Sequence, residues 1–386
     1  MEFAFTEEQQ MIRETAEQFL TDHCDSAAVR RAMATEAGFD PELWQRIAGE
    51  MCWTAIHVPE ACGGLGLGYV EVVALMEQMG RRLLCAPYFS SVCLGANALL
   101  VAAGSEQQQR WLPAIADGSC RTTLAWCDAS GRWDASGVSA TFVRDGDGYV
   151  LDGEYRYVVD GHGADLLIVA ARAPGSGGAQ GIALFAVPAD ATGVERSLLP
   201  TLDQTRKLAA IRLGRVRVPA TALLDVAGED AGAALAKILA LATIALAAEQ
   251  AGGAQQILDI AVAYTKERQQ FGRTIASFQA IKHKAADMML KAEAARSAVY
   301  YAGCVANEAL ADSARDAELL AAASLAKAYC SETYFFNAGT AMQLHGGVGF
   351  TWEYDVHLYF KRARASESFL GDAAEHRERI AVELGL

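Results

Sequence analysis

The chain has 386 residues, 52% apolar and 21% charged, a globular balance that excludes a disordered protein. Its net charge of −14, with no basic stripe to offset it, argues against nucleic acid as a partner but leaves room for a small anionic ligand. Nine scattered cysteines (24, 52, 62, 85, 93, 120, 127, 304, 330), never spaced C-x-x-C, read as reduced thiols in a cytoplasm, with neither a disulfide frame nor a metal site.

The opening MEFAFTEEQQ is polar and acidic, unlike a signal peptide. Residues 1–119 read as a helical domain. Thr6 with Gln9 three residues on is a capping-box pattern, and Met11, Ile12, Ala16, Phe19 and Leu20 follow at helical spacing. The loop Cys62-Gly-Gly-Leu-Gly-Leu-Gly68 resembles a phosphate cradle, but no strand precedes it, which favours a plain turn.

Residues 120–226 change character. Gly148-Tyr-Val-Leu, Arg156-Tyr-Val-Val, Leu166-Leu-Ile-Val-Ala, Gly181–Val187 and Ala209-Ala-Ile-Arg-Leu are short β-rich runs separated by Gly/Asp turns. Few helical signals intervene, so this reads as an antiparallel β domain. Residues 227–386 return to helices. One is expected from about Ala231 to Arg268, one from Gln279 past Asn307, and two more after Asp316. The most apolar run, Ala233–Ala248, is 16 residues long and contains Lys237, too short for a bilayer, so no membrane role is expected. The small residues of Leu239–Ala245 fit either a roomy pocket floor or tight helix packing.

Gln343-Leu-His-Gly-Gly-Val-Gly-Phe350 looks like a dinucleotide-binding turn. His345 within it reads as a packing or capping residue, and His162 as part of a turn. Together with Thr265-Lys-Glu-Arg-Gln-Gln-Phe-Gly-Arg-Thr-Ile275, Ser277–Asp287 and Glu353-Tyr-Asp, it resembles the signature of acyl-CoA dehydrogenases. The resemblance covers the whole chain. It implies a mostly α fold with a central β domain: a helical N-terminal domain, a middle β domain and a C-terminal four-helix bundle. It also implies FAD, an acyl-CoA thioester substrate, an electron-transfer flavoprotein as electron acceptor, and a homo- or hetero-tetramer. By the same resemblance, Arg268 would present its cationic fork to an FAD pyrophosphate of a neighbouring subunit, and Phe271 would pack on the cofactor. Gly346 and Gly347 would let the backbone approach a diphosphate, with Gln343 as a polar contact. Trp126, Tyr157, Val159 and Asp372 fall where the family contacts its flavin. Tyr157 keeps an aromatic wall, Val159 lacks the usual hydroxyl, and Asp372 replaces a hydroxyl residue.

The family's reaction needs a carboxylate base for the α-proton. Its two usual places fall here on Leu370, followed by Gly371, and on Ala242. Neither can take a proton. Three nearby carboxylates are candidate substitutes: Glu249, seven residues beyond Ala242 on the same helix, and Glu367 and Asp372, which flank Leu370. Glu249 lies about 10 Å further along the axis and needs a kink at Gly252-Gly253 to reach. Two functions follow. The chain is an FAD-dependent acyl-CoA dehydrogenase with a displaced base, or it is the non-catalytic subunit of an α2β2 enzyme, of the kind acting on steroid side-chain thioesters, and completes its partner's FAD site.

Overall fold

The structure, a computed structural model, describes residues 5–386; the first four residues of the polar opening lie outside the described residues. Six helices come first: α1 (Glu7–His23), α2 (Ser26–Ala34), α3 (Pro41–Gln45), α4 (Tyr69–Arg81), α5 (Asn97–Ala102) and α6 (Ser105–Ala116). Strands β1 (Thr122–Ala125), β2 (Thr141–Asp145), β3 (Gly148–Val159), β4 (Leu166–Arg172), β5 (Ile182–Pro188), β6 (Val194–Leu198) and β7 (Leu208–Pro219) follow. Then come α7 (Gly232–Glu267), the hairpin β8 (Gln269–Gln270) and β9 (Arg273–Thr274), α8 (Gln279–Ala311), α9 (Asp316–His345), α10 (Val356–Ser368) and α11 (Ala373–Glu383). The start of α1 is the capping box expected at Thr6: its hydroxyl accepts from Gln9 N, and the Gln9 carboxamide accepts from Thr6 N.

The chain divides into two compact units. One gathers residues 32–68 and 85–242, built around a seven-stranded sheet in the order β1-β4-β2-β3-β7-β6, with β5 on β4. The sheet is mixed, where the sequence suggested purely antiparallel pairing. β1 runs parallel to β4 from Thr122↔Leu166 to Ala125↔Val169, because the β2–β3 hairpin forms the crossover that a parallel pair requires. Phe142, Tyr149 and Phe185 meet at ring distances of 5.1–5.9 Å within its core. In the Gly-rich loop, the amides of Gly63, Gly64, Leu65, Gly66 and Leu67 all donate to carbonyls of residues 55–60. With those five donors used internally, the loop is a turn and not a phosphate cradle.

The other unit gathers the chain up to Arg31, Tyr69–Leu84 and Thr243–Leu386. α4 crosses α7 at backbone distance. A Cβ at Gly80 would lie 2.0 Å from Glu249 O, and one at Gly252 would lie 1.8 Å from Glu77 O. Buried Asn337 on α9 ties the bundle together, donating to Ala254 O on α7 (3.1 Å) and Met288 O on α8 (3.2 Å). Three helices, not two, lie beyond residue 315. Gly346 stops α9 at φ 61°, ψ −140°, a conformation open only to glycine. A second capping box, Asp372 with Glu375, then starts α11. Among the described residues α7 alone is long and apolar enough to cross a bilayer, and 78% of its most apolar window is buried inside the protein. Leu239–Ala245 is wholly buried, which is the packing reading of that stretch.

Candidate functional site

In the helical unit, the end of α7 delivers Arg268 into the β8–β9 hairpin. That hairpin closes through Phe271 (φ 56°) and Gly272 (φ 76°), a two-residue turn with both residues left-handed. Glycine accepts this conformation freely; phenylalanine holds it at a strain of about 1–2 kcal/mol. Phe271 is nonetheless 91% exposed. A strained, exposed aromatic is a poor choice for a free surface and a good one for a ligand or partner. Arg268 is exposed and engages no carboxylate among the described residues. The helix α9 ends at Gln343, Gly346 and Gly347, all exposed. A Cβ on either glycine would meet nothing within 4 Å, so the space over the turn is open to a ligand. His345 points the other way: it is 4% exposed, stacks on Tyr264 and bonds Ala341 O, and burial lowers its pKa, so it is a packing imidazole.

The positions where a base is expected are occupied differently. Leu370 is 2% exposed with φ 63°, and Gly371 follows at φ 101°. This turn is fixed by donors that sequence reasoning missed. Buried Lys327 on α9 donates to Glu367 O (2.9 Å) and Gly371 O (2.8 Å). Burial pulls its pKa down to about 8. His376 on α11 lies 3.0 Å from Leu370 O through Nε2, and its Nδ1 lies 3.2 Å from Ser324 Oγ. Burial, with Arg379 and Lys327 nearby, holds that imidazole neutral with a pKa of about 3. A carbonyl can only accept, so Nε2 carries the proton.

Each of the three substitute carboxylates has another occupation. Glu249 forms a buried ion pair with Arg362 at 2.8 Å. The helix between Ala242 and Glu249 is unbroken, so the two stay about 10 Å apart along the axis. Glu367 pairs with Arg364. Asp372 is exposed and caps α11, accepting from Glu375 N at 2.9 Å. Ala242 itself is fully buried. Among the described residues no His, Cys, Asp and Glu cluster suits a metal, and none of the nine cysteines is joined in a disulfide.

In the β unit, Tyr157 sits where the β3–β7 register slips, between Tyr155 and Val158, and takes φ 59°. The irregularity turns its ring out of the strand's alternation. Trp133 bridges Tyr157 and Trp126, 5.9 Å from each ring. Trp126 is 2% exposed, and its indole N–H has no acceptor among the described residues, so a buried donor is available to a ligand. Val159 is buried, and its carbonyl accepts from Thr123 Oγ1 at 2.7 Å.

Residues 6–119 match the family model for the acyl-CoA dehydrogenase N-terminal domain, and residues 231–385 match that for the C-terminal domain. The chain is 32% identical to acyl-CoA dehydrogenase IpdE2 of Mycolicibacterium smegmatis over 98% of this chain and 99% of that one. Among solved structures, the ChsE4-ChsE5 complex from Mycobacterium tuberculosis matches with a TM-score of 0.88 at 28% identity, covering 100% of this chain and 99% of that one. A Tcur3481-Tcur3483 steroid ACAD variant matches at 0.84 and 31%, covering 98% of each.

Proposed function

The chain belongs to the acyl-CoA dehydrogenase family, whose cofactor is FAD, and on that premise we propose that it is the subunit that completes an FAD site in a hetero-oligomeric, α2β2-type acyl-CoA dehydrogenase. The reaction served is α,β-desaturation of an acyl-CoA thioester, with electrons passed to an electron-transfer flavoprotein and the partner supplying the base. The observation that carries this reading is one contrast within the helical unit. The dinucleotide residues are exposed and open, while the position of the base holds a buried leucine and every carboxylate near it is already bonded.

The residues present fit FAD at its dinucleotide end. The Arg268 guanidinium offers a planar two-donor fork to a pyrophosphate, and Gly346 and Gly347 leave the backbone bare beneath it. At the ring end the fit is partial: Tyr157 gives an apolar wall and Trp126 a buried donor, but Val159 gives no hydroxyl. When bound, FAD supplies the hydride acceptor for the β-carbon. Leu370 excludes water and holds no proton, so abstraction from the α-carbon falls to a carboxylate of the other subunit. The likeness to the ChsE4-ChsE5 complex and to a steroid ACAD supports a paired assembly and a bulky, steroid-like acyl group.

A second reading keeps the whole reaction in one chain, and the exposure of Asp372, two residues from Leu370, favours it. The test separates the two. The protein purified alone, and then co-expressed with a same-fold subunit that carries the glutamate, is scanned for flavin absorbance before and after an acyl-CoA is added. The paired reading expects little or no bleaching alone and bleaching in the complex. Bleaching of the chain by itself would sink it, and Glu249→Gln, Glu367→Gln and Asp372→Asn would then locate the base.

A further inference from the structure

Arg268 and the double-glycine turn lie 78 residues apart in sequence, and the structure shows what joins them. Tyr264 stands one helical turn before Arg268, whose amide donates to Tyr264 O at 2.9 Å. The Tyr264 ring stacks on His345 with centroids 4.1 Å apart and planes 20° apart. Its hydroxyl donates to His345 O at 3.4 Å, the carbonyl immediately before Gly346. Tyr354, just past the turn, closes edge-on against both rings at 6.0 Å. One further contact acts on the polar residue of the turn. Lys284 Nζ lies 3.2 Å from Gln343 Oε1. An ammonium only donates, so this contact fixes which end of the carboxamide faces the lysine and leaves the NH2 as a donor for a ligand.

We propose that Tyr264, His345 and Tyr354 are positioning residues that lock the end of α7 to the end of α9, and that Lys284 orients Gln343, so that the dinucleotide half-site stands assembled in the single chain before cofactor or partner arrives. The inference rests on the proposed role in completing an FAD site. The arrangement suits a lock. His345 is buried while Arg268, Gln343, Gly346 and Gly347 are exposed, which places a rigid aromatic base beneath the exposed end of α9. Gly346 needs a glycine-only conformation, so the carbonyl that Tyr264 holds sets the direction of the turn. A ligand meeting a half-site already set in place loses less free energy in ordering it.

The experiment uses the full chain in its FAD-bearing assembly. It follows the rate of FAD release by the fluorescence gained on dilution, together with the melting temperature with and without FAD. Tyr264→Leu and His345→Leu are each expected to speed release about tenfold, with most of the FAD-dependent rise in melting temperature lost and the FAD-free melting temperature little changed. The double variant should be no worse than either single one. Tyr264→Phe keeps the stack but loses the hydroxyl that holds His345 O, and should fall between the parent and Tyr264→Leu. Lys284→Met, on the surface, should speed release about threefold, and Lys284→Arg should restore it. Release from Tyr264→Leu and Lys284→Met at the parental rate would overturn the lock while leaving the FAD role intact. A loss of FAD-free stability equal to the loss of FAD retention would also overturn it, because the cluster would then be ordinary core. A parent chain that holds no FAD in any assembly would remove the proposed function itself.

Discussion

The β8–β9 hairpin with its neighbouring glycine turn, and the Leu370–Gly371 turn, are both places where the helical unit holds non-helical backbone at positive φ. They use it in opposite ways. Phe271 is left-handed and 91% exposed, and its arginine neighbour faces solvent. Leu370 is left-handed and 2% exposed, and the carbonyls around it are met by Lys327 and His376. Strain with open space around it marks a surface waiting for something. Strain sealed by buried donors marks a scaffold that has kept its shape without an acid–base group. The second turn would hold a carboxylate as firmly as it holds a leucine, so the difference between the two turns lies in side-chain chemistry and burial and not in backbone geometry.

The largest effect that probes this contrast is expected at the buried pair. Arg362→Leu removes the cation of a buried ion pair and should lower stability by about 3–5 kcal/mol in urea unfolding followed by helical circular dichroism. A change under 1 kcal/mol would return Glu249 to the list of bases free to act. Next is the open side. Arg268→Gln should weaken FAD retention by about 10- to 100-fold, the worth of a charge-assisted hydrogen bond, and leave the FAD-free melting temperature unmoved. Arg268→Lys should fall between, because a point charge cannot replace the fork. Unchanged retention in both would remove Arg268 from the half-site.

A smaller effect concerns the sealed turn in acid. His376 has a folded pKa of about 3 against 6.5 for the free side chain, so its contribution to stability is present above pH 6.5 and is lost as pH falls toward 3. The loss is about 1.4 kcal/mol per pH unit within that window. His376→Gln keeps a donor for Leu370 O and should flatten the pH–stability curve there; an equal slope in parent and variant would show that the imidazole is not the group being protonated. Smallest of all, Phe271→Asn relieves a left-handed phenylalanine. It should raise the stability of the FAD-free chain by about 0.5–1 kcal/mol while lowering FAD retention. Gain without loss would mean that the strain serves no ligand.

Much of this was legible from residues alone. The Thr6 box and the long apolar helix α7 follow from local spacing, and the structure returns them within a residue; of the β-rich runs, 148–151 and 156–159 join in the single strand β3, and β7 continues six residues past Leu213. The parallel pairing of β1 with β4 was not legible, because register between distant strands leaves no local pattern. Nor was the third helix at the end of the chain, since Gly346 and the Asp372 cap punctuate a stretch whose apolar period runs on. Among the candidate site residues, those that sit in the motifs could be found through them. Tyr264, Lys284, Lys327, Arg362 and His376 could not, because each acts on a group 6 to 113 positions away.

The sequence by itself determined the family, the cofactor and the absence of a proton-bearing group at Leu370 and Ala242, because residue identity at a motif position needs no geometry to be read. The tertiary structure decided which carboxylates are already bonded, which turn is sealed and which is open, and what links Arg268 to Gly346. Those are properties of burial and long-range contact, and only a folded chain has them.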